Sequence, residues 1–278
     1  MGLITKIGLG TVQFGIDYGI SNQTGKTSAE EVKNILNIAH NLGLNLVDTA
    51  MAYGNAEEVI GSYDLGRFNV VSKFMPPDEY GSISTQLDDS LKKLQISELY
   101  GYLAHRPMNL IDNPNHWKEL IKLKDEGKIK KIGFSLNTVG ELELLMNKDF
   151  IPDIIQVPYN YFDRRFEKWM IILKEKGCEI HTRSTFLQGL FFMKTNQLGV
   201  FFDDVKPLIK KLQNENKFLA GALFAYVLKK DFIDRVVVGV QNSKQLTQNI
   251  IDIGHAEELE KLNVNIKEEI LSPFLWKK

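Results

Sequence analysis

A single (β/α)8 TIM barrel of the α/β class, eight parallel strands with surrounding helices, is the fold the sequence predicts, and three observations predict it. Eight short apolar or β-branched runs alternate with longer segments of helical period, the pattern of a parallel sheet with crossover helices. The chain has 278 residues and 44% hydrophobic content, enough to bury one large core, and residues 1–278 read as one domain. No Gly-rich fingerprint opens the first crossover. Gly8-Leu-Gly10 lacks a third glycine and the first helix starts well downstream, which favours closure over an open dinucleotide-binding sheet.

The predicted strands are Ile7–Leu9, Leu44–Val47, Phe68–Ser72, Tyr100–Ala104, Ile129–Phe134, Ile154–Val157, Cys178–Thr182 and Val236–Gly239. Amphipathic helices lie between them. One spans Ala29–Leu42, with Val32, Ile35, Leu36 and Ala39 on one face; another spans Trp117–Glu126, followed along its face by Leu120, Ile121 and Lys124. Ser28 is placed to cap the first, with Glu30 and Glu31 in its opening turn, and Gly43 and Gly127 stand where helices should stop. Two segments exceed a bare barrel. A loop over residues 188–207 carries Phe191, Phe192, Phe201 and Phe202, which either flank a ligand or seal the rim. The segment 255–278 follows the eighth helix and is expected across the outside of the barrel.

Charge narrows the function classes. Lysine plus arginine total 34 against 35 for aspartate plus glutamate, a net charge of -1 without a basic stripe, so no nucleic-acid partner is expected. Cys178 is the only cysteine, which precludes an intrachain disulfide and suits a reducing compartment. No charged leader opens the chain and no apolar stretch reaches the roughly 18 residues of a membrane span, so a cytoplasmic protein with no membrane partner is expected. Oligomeric state leaves no mark in the sequence.

The chemistry gathers where barrels place it, at the carboxyl ends of strands. Asp48 ends the second strand, Tyr53 lies five residues later in Asp48-Thr-Ala-Met-Ala-Tyr53-Gly54, Lys73 follows the third, and His105 follows the fourth. Taken singly, each has an ordinary reading: a turn cap, a rim aromatic, a solvated lysine, a structural histidine. Together they can donate a proton. A phenol has a pKa of about 10, and a cation within about 4–6 Å lowers it. Lys73 supplies that cation, Asp48 holds the ammonium charged, and His105 can donate a hydrogen bond to a carbonyl oxygen. A metal-dependent barrel built on His105 and His181 is an alternative. The five histidines are scattered, without a His-x-His pair, and no metal is expected.

The run of motifs resembles the aldo-keto reductase family from end to end. It comprises Asp48-Thr-Ala-x-x-Tyr53-Gly54, Lys73, Ala104-His-Arg-Pro107, Lys-Ile-Gly-Phe-Ser135, Gln156-Val-Pro-Tyr, Gln188-Gly189-Leu190 and the segment Gly239 to Asn249. The resemblance implies a (β/α)8 barrel and reversible nicotinamide-dependent reduction of a small-molecule aldehyde or ketone, with Asp48, Tyr53, Lys73 and His105 catalytic. It leaves one alternative, a nicotinamide-binding barrel serving as a regulatory subunit, as potassium-channel beta subunits of that family do.

By the same resemblance, Ser135 and Gln156 bond the nicotinamide carboxamide, and Thr11 and Val12 after the first strand join the cofactor site. The family's Ser-Asn pair is broken, because Leu136 follows Ser135 and Asn137 comes one position late. Arg183 stands where many members stack an aromatic ring on the nicotinamide; its planar guanidinium either stacks or pairs with a carboxylate. Backbone and small groups from Ser184 through Phe186 and Gly189, with Lys194, would receive the pyrophosphate. Gly239, Gln241, Gln245 and Asn249 map to the adenosine end, where family habit favours NADPH over NADH. Candidate substrate residues are Phe14, Asp17, Tyr18, Met51, Arg106, Tyr159 and Asn160. Their polar members suit a sugar-derived carbonyl compound.

Overall fold

Each predicted strand forms, and the sheet closes on itself. In the computed structural model, which describes residues 2–276, the strands are β1 (Ile7–Gly10), β2 (Leu46–Asp48), β3 (Asn69–Phe74), β4 (Leu99–Ala104), β5 (Ile129–Ser135), β6 (Ile154–Pro158), β7 (Glu179–Arg183) and β8 (Arg235–Gly239). All pair in parallel in chain order, and β8 returns to β1 through Ile7↔Val236 to Gly10↔Gly239. Among the described residues this is a (β/α)8 barrel.

The helices follow their sequence signals closely. Ser28 Oγ accepts the Glu31 N–H at 3.3 Å at the start of Ala29–Asn41, whose Val32, Ile35, Leu36 and Ala39 are buried. Gly43 and Gly127 take φ values of +82° and +78°, the left-handed region expected beyond a helix end. One helix departs in detail. In Asn115–Asp125 the buried stripe is His116, Trp117, Leu120 and Leu123, while Ile121 faces solvent. The inward stripe follows the i, i+3, i+4, i+7 positions His116/Trp117, Leu120 and Leu123, and Ile121, about 100° on from Leu120, falls beyond its edge.

Strand periodicity sorts side chains between two cores. Outward residues such as Ile155, Val157 and Tyr159 join the large shell packed between strands and helices. Inside the barrel, Leu46, Val71, Leu103, Ile154 and Val237 form an apolar layer. Beneath it lies an ionic plug: Glu179 accepts from Tyr100 Oη at 2.6 Å, contacts Lys131, and lies 2.8 Å from His181 Nε2. Burial opposes the Glu179 carboxylate, yet its His181, Lys131 and Tyr100 partners outweigh that and hold its pKa below the usual range.

The long connection after β7 resolves into three short 3-10 turns, Leu187–Phe192, Thr195–Gln197 and Val200–Phe202, before the helix Lys206–Glu215. Its phenylalanines divide between the two expected roles. Phe191 is fully buried with its ring 4.7 Å from that of Phe162, whereas Phe192 faces a cleft at the barrel mouth. The C-terminal segment lies on the outside of the barrel only at first, where Leu259 and Leu262 join the buried cluster of the helices Lys206–Glu215 and Leu219–Leu228. Leu271, Ser272, Pro273 and Phe274 return to line that cleft, anchored by Arg165 Nη1 donating to Glu268 Oε1 at 2.6 Å and by Trp276 edge-on to Phe202. No described helix is long and apolar enough to cross a membrane.

Candidate active site

The carboxyl ends of β2, β3 and β6 converge on one carboxylate. Lys73 Nζ donates to Asp48 Oδ1 at 2.6 Å and to the Thr49 carbonyl at 2.8 Å, and Gln156 Nε2 donates to Asp48 Oδ2 at 2.7 Å. The Lys73 side chain is fully buried and that of Asp48 nearly so. Burial alone would lower the Lys73 pKa; the Asp48 charge and the neighbouring Tyr53 outweigh it, and the pKa is raised. The ammonium is therefore charged beneath the cleft floor.

Tyr53 is carried on the turn after β2, which closes through Tyr53 N–H to Ala50 O at 3.0 Å and Ala56 N–H to Tyr53 O at 3.1 Å. Its ring centroid lies 5.2 Å from Lys73 Nζ. The His105 ring meets it edge-on at 5.7 Å and 84°. His105 directly follows β4, where its N–H donates to Phe74 O at 2.9 Å. Burial, followed by the charges of Lys73, Arg183 and Arg106, pushes the His105 pKa from 6.5 down to about 3. Near neutral pH His105 is thus an uncharged hydrogen-bond donor.

Above this group opens a cleft of about 500 Å³. It is lined by Asp48, Tyr53 and His105 and by many of the residues expected at a cofactor site: Thr11, Val12, Ser135, Gln156, Arg183, Ser184, Phe186, Gly189, Gly239, Gln241 and Gln245. Of the expected substrate residues, Tyr18 and Arg106 line it.

Several expected residues lie elsewhere. Phe14 is fully buried in the shell core. Asp17 is exposed and accepts from Asn22 Nδ2 at 3.0 Å, and Met51 is outside the lining. Tyr159 points outward from the barrel, its hydroxyl donating to Glu167 Oε2 at 2.7 Å and its ring stacked on Tyr226. Asn160 is buried behind the cleft, where its Nδ2 donates to Ser184 O at 3.0 Å. Lys194 is exposed outside the lining, and Asn249 is buried a turn beyond Gln245.

The loop after β7 is strained where it meets the cleft. Ser184, Leu187 and Gln188 have φ values of +67°, +47° and +54°, conformations that cost of order 1–3 kcal/mol each. Neighbouring contacts hold them there: Asn160 bonds the Ser184 carbonyl, Gly189 N–H donates to Phe186 O at 2.8 Å, and Gln188 Nε2 donates to Tyr18 Oη at 3.1 Å. The first and seventh loops are thereby joined over the mouth.

Arg183 pairs with no carboxylate among the described residues. Its Nη2 donates to Asn137 Oδ1 at 2.6 Å and to Leu136 O at 3.0 Å, and its Nη1 to Ser184 Oγ at 3.2 Å. The displaced Asn137 has a place after all: Leu136 turns into the core and Asn137 lines the cleft. At the far end, the helix Ser243–His255 begins with its first N–H donated to Glu31 Oε1 at 2.6 Å, and Gln241 N–H is taken by Gln245 Oε1 at 2.7 Å.

Sequence reading did not single out Gln13, Ile16, Ser21, Met75 or Arg165 as lining residues. Gln13 and Ile16 sit in the connection after β1, the position at which strand-end residues face the mouth; Arg165 is held at the rim by Asp163 and by Glu268 of the C-terminal return. Among the described residues no three His, Cys, Asp or Glu side chains gather as a metal site.

Comparison with known proteins agrees with this architecture. The profile of the Aldo/keto reductase family matches residues 6–270. Methylglyoxal reductase DkgA of Escherichia coli (strain K12) is 33% identical over 135 residues, 47% of this chain and 49% of that protein; the chain thus spans about half the length of such relatives in the match. The NADH-specific methylglyoxal reductase of Escherichia coli (strain K12) is 24% identical over 315 residues, 95% of this chain and 92% of that protein. The holo form of aldo-keto reductase AKR11C1 from Bacillus halodurans superposes with a TM-score of 0.72 at 22% identity, covering 98% of this chain and 92% of that one, and so shares its fold. With the family profile spanning nearly its whole length, this chain belongs to the aldo/keto reductase family.

Proposed function

We propose that the protein reduces an aldehyde or ketone to the alcohol with a nicotinamide cofactor, Tyr53 giving the proton. The observation that carries this reading is the buried Lys73, pinned between Asp48 and Thr49 and facing the Tyr53 ring at the floor of a cleft. The lining suits a dinucleotide. Gln13 Oε1 and Thr185 Oγ1 are buried without partners among the described residues, and the Gln156 amide spends its N–H on Asp48, which leaves its oxygen to accept from a carboxamide. Ser135 and Gln156 would hold the nicotinamide end, Ser184 to Gly189 the phosphates, and Gly239, Gln241 and Gln245 the adenosine.

A bound reduced nicotinamide supplies the hydride for the carbonyl carbon. His105, uncharged, donates its N–H to the carbonyl oxygen and aligns it. Tyr53 transfers its hydroxyl proton to that oxygen as negative charge builds there, and Lys73 stabilises the tyrosinate left behind. Asp48 keeps the ammonium in place. On cofactor preference the reading departs from the NADPH that the resemblance alone implies: Glu31 brings a carboxylate to the adenosine end, which supports NADH.

The test follows oxidation of NADH and NADPH by absorbance over a panel of aldehydes, with wild type and Tyr53→Phe. Phe keeps the ring contacts with Lys73 and His105 but has no proton to give. Its kcat should fall by a factor of about 10² or more, with the cofactor dissociation constant nearly unchanged. Retained turnover in this variant would remove Tyr53 as donor. Tight cofactor binding without turnover of any carbonyl by wild type would favour a non-catalytic binding subunit.

A further inference from the structure

The charges around the cleft do not balance. Across the whole chain acidic and basic residues nearly cancel, at a net charge of -1. The cleft is different: its lining contains three arginines, Arg106, Arg165 and Arg183, and a single carboxylate, Asp48. Asp48 is answered by the buried Lys73. Arg165 is answered by Asp163 and Glu268 at 2.8 and 2.6 Å. Arg106 and Arg183 remain, with no carboxylate within 4 Å among the described residues, and Arg183 is held only by neutral acceptors.

The two arginines are not scattered. Both act on His105, the group placed to receive the carbonyl oxygen, and their charges help to keep its ring neutral. Arg106 is joined directly to His105 in the chain and opens toward solvent at the mouth. Arg183, at the end of β7, reaches back to the loop after β5, the strand beside β4, where Leu136 and Asn137 restrain it together with Ser184. A guanidinium at the surface is ordinarily a solvated charge. Here one stands on the wall of an apolar-lined cleft that also contains Ile16, Phe192 and Phe274, where a counter-ion brought by a ligand is screened less than in water.

We propose that the cleft is built for a carbonyl compound that also bears an anionic group, a carboxylate or a phosphate, with Arg106 as its partner and Arg183 adding to the attraction. This inference rests on the reductase reading above and specifies its substrate class. The anion lies on the β4 side of the mouth, so the carbonyl reaches Tyr53 and His105 while the charged end stays at the rim. Arg can engage either anion through two parallel N–H donors, which fixes direction as well as affinity. An uncharged aldehyde gains neither.

The experiment compares matched substrates with wild type, Arg106→Gln and Arg106→Lys. One pair is 4-carboxybenzaldehyde and methyl 4-formylbenzoate; the other is glyceraldehyde 3-phosphate and glyceraldehyde. The quantity read is the ratio of kcat/KM for the charged member to that for the neutral member of each pair, and cofactor dissociation constants are measured alongside by fluorescence. In wild type at least one ratio should exceed about ten, and it should shrink as salt is raised. Arg106→Gln should lower that ratio by about ten- to a hundredfold, the effect of losing one charge-assisted hydrogen-bonded partner, and Arg106→Lys should recover part of it. The pair that shows the preference distinguishes carboxylate from phosphate. Equal use of charged and neutral members, or a preference that survives Arg106→Gln, overturns the proposal while leaving the reductase reading intact. Weakened cofactor binding with an unchanged ratio reassigns Arg106 to the cofactor and likewise overturns it. Turnover of other aldehydes but of no member of either pair also overturns the proposal, whereas turnover of no carbonyl at all by wild type removes the reductase reading and the proposal with it.

Discussion

Gln156 and Asp48, 108 residues apart in the chain, are joined across the barrel by an Nε2–H···Oδ2 hydrogen bond of 2.7 Å. With Lys73 on the other oxygen, the carboxylate is held from two strands and cannot rotate away from the lysine. Gln156→Glu keeps the shape and removes the donor. Two carboxylates sharing one site raise the pKa of one of them, so the introduced acid can serve as a donor only when protonated. A raised folded-state pKa contributes stability below the unfolded value and loses it as pH rises. The stability deficit of Gln156→Glu relative to wild type should therefore widen between about pH 5 and pH 8. Urea midpoints at the two pH values check this, and a constant deficit would mean that the bond does not hold Asp48.

Removing Lys73 isolates a buried anion. Lys73→Met should cost about 3–5 kcal/mol, because Asp48 keeps its desolvation penalty and loses its counter-ion. Adding Asp48→Asn to it removes the charge, so the double variant should regain much of that loss. Activity should not return in either, since the tyrosinate has lost its cation. Chemical denaturation with parallel carbonyl-reduction assays separates the two effects; a double variant less stable than Lys73→Met would contradict the buried-pair account.

His105 carries a pH signature. In the folded protein its pKa is about 3 against an ordinary 6.5, so between those values the unfolded chain binds more protons. Stability should thus fall as pH drops from about 6.5 toward 3. His105→Gln has no such group, and its stability should decline less steeply with acid, narrowing the gap to wild type. Denaturant midpoints at pH 7 and about pH 4.5 measure the gap. Parallel declines in the two proteins would show that His105 does not titrate in this way.

The barrel was legible because parallel strands buried on both faces read as apolar runs and the helices between them carry ordinary caps and stops. Strand ends were less so. Lys73 reads as a charge beyond a strand, yet β3 continues through it to Phe74 because Asp48 accepts its ammonium inside the barrel. Side-chain parity explains the misplaced substrate residue Tyr159. Gln156 and Pro158 line the cleft, so Val157 and Tyr159 must face the outer helices. That signal was present in the spacing. The path of residues 256–276 was not, because it depends on contacts such as Arg165 with Glu268, 103 residues apart in the chain.

Glu31 and Ser243 set the last expectation. The carboxylate accepts the first N–H of the helix Ser243–His255 at 2.6 Å and also Asn34 Nδ2 at 3.1 Å; these bonds, the one to Ser243 foremost, hold its pKa below the usual range. The positive end of that helix is therefore already answered, and Gln241 N–H is engaged by Gln245. A 2′-phosphate at this end would compete with an anion for the same donors, whereas a 2′-hydroxyl would not. Wild type should bind NADH at least about tenfold more tightly than NADPH, a difference of about 1.4 kcal/mol. Glu31→Gln keeps an acceptor for Ser243 but removes the charge, so the ratio of the two dissociation constants should move toward unity, most clearly at low salt. Fluorescence titration with each cofactor decides the matter. Equal affinities in wild type, or a ratio untouched by Glu31→Gln, would place the control of cofactor choice elsewhere in the cleft.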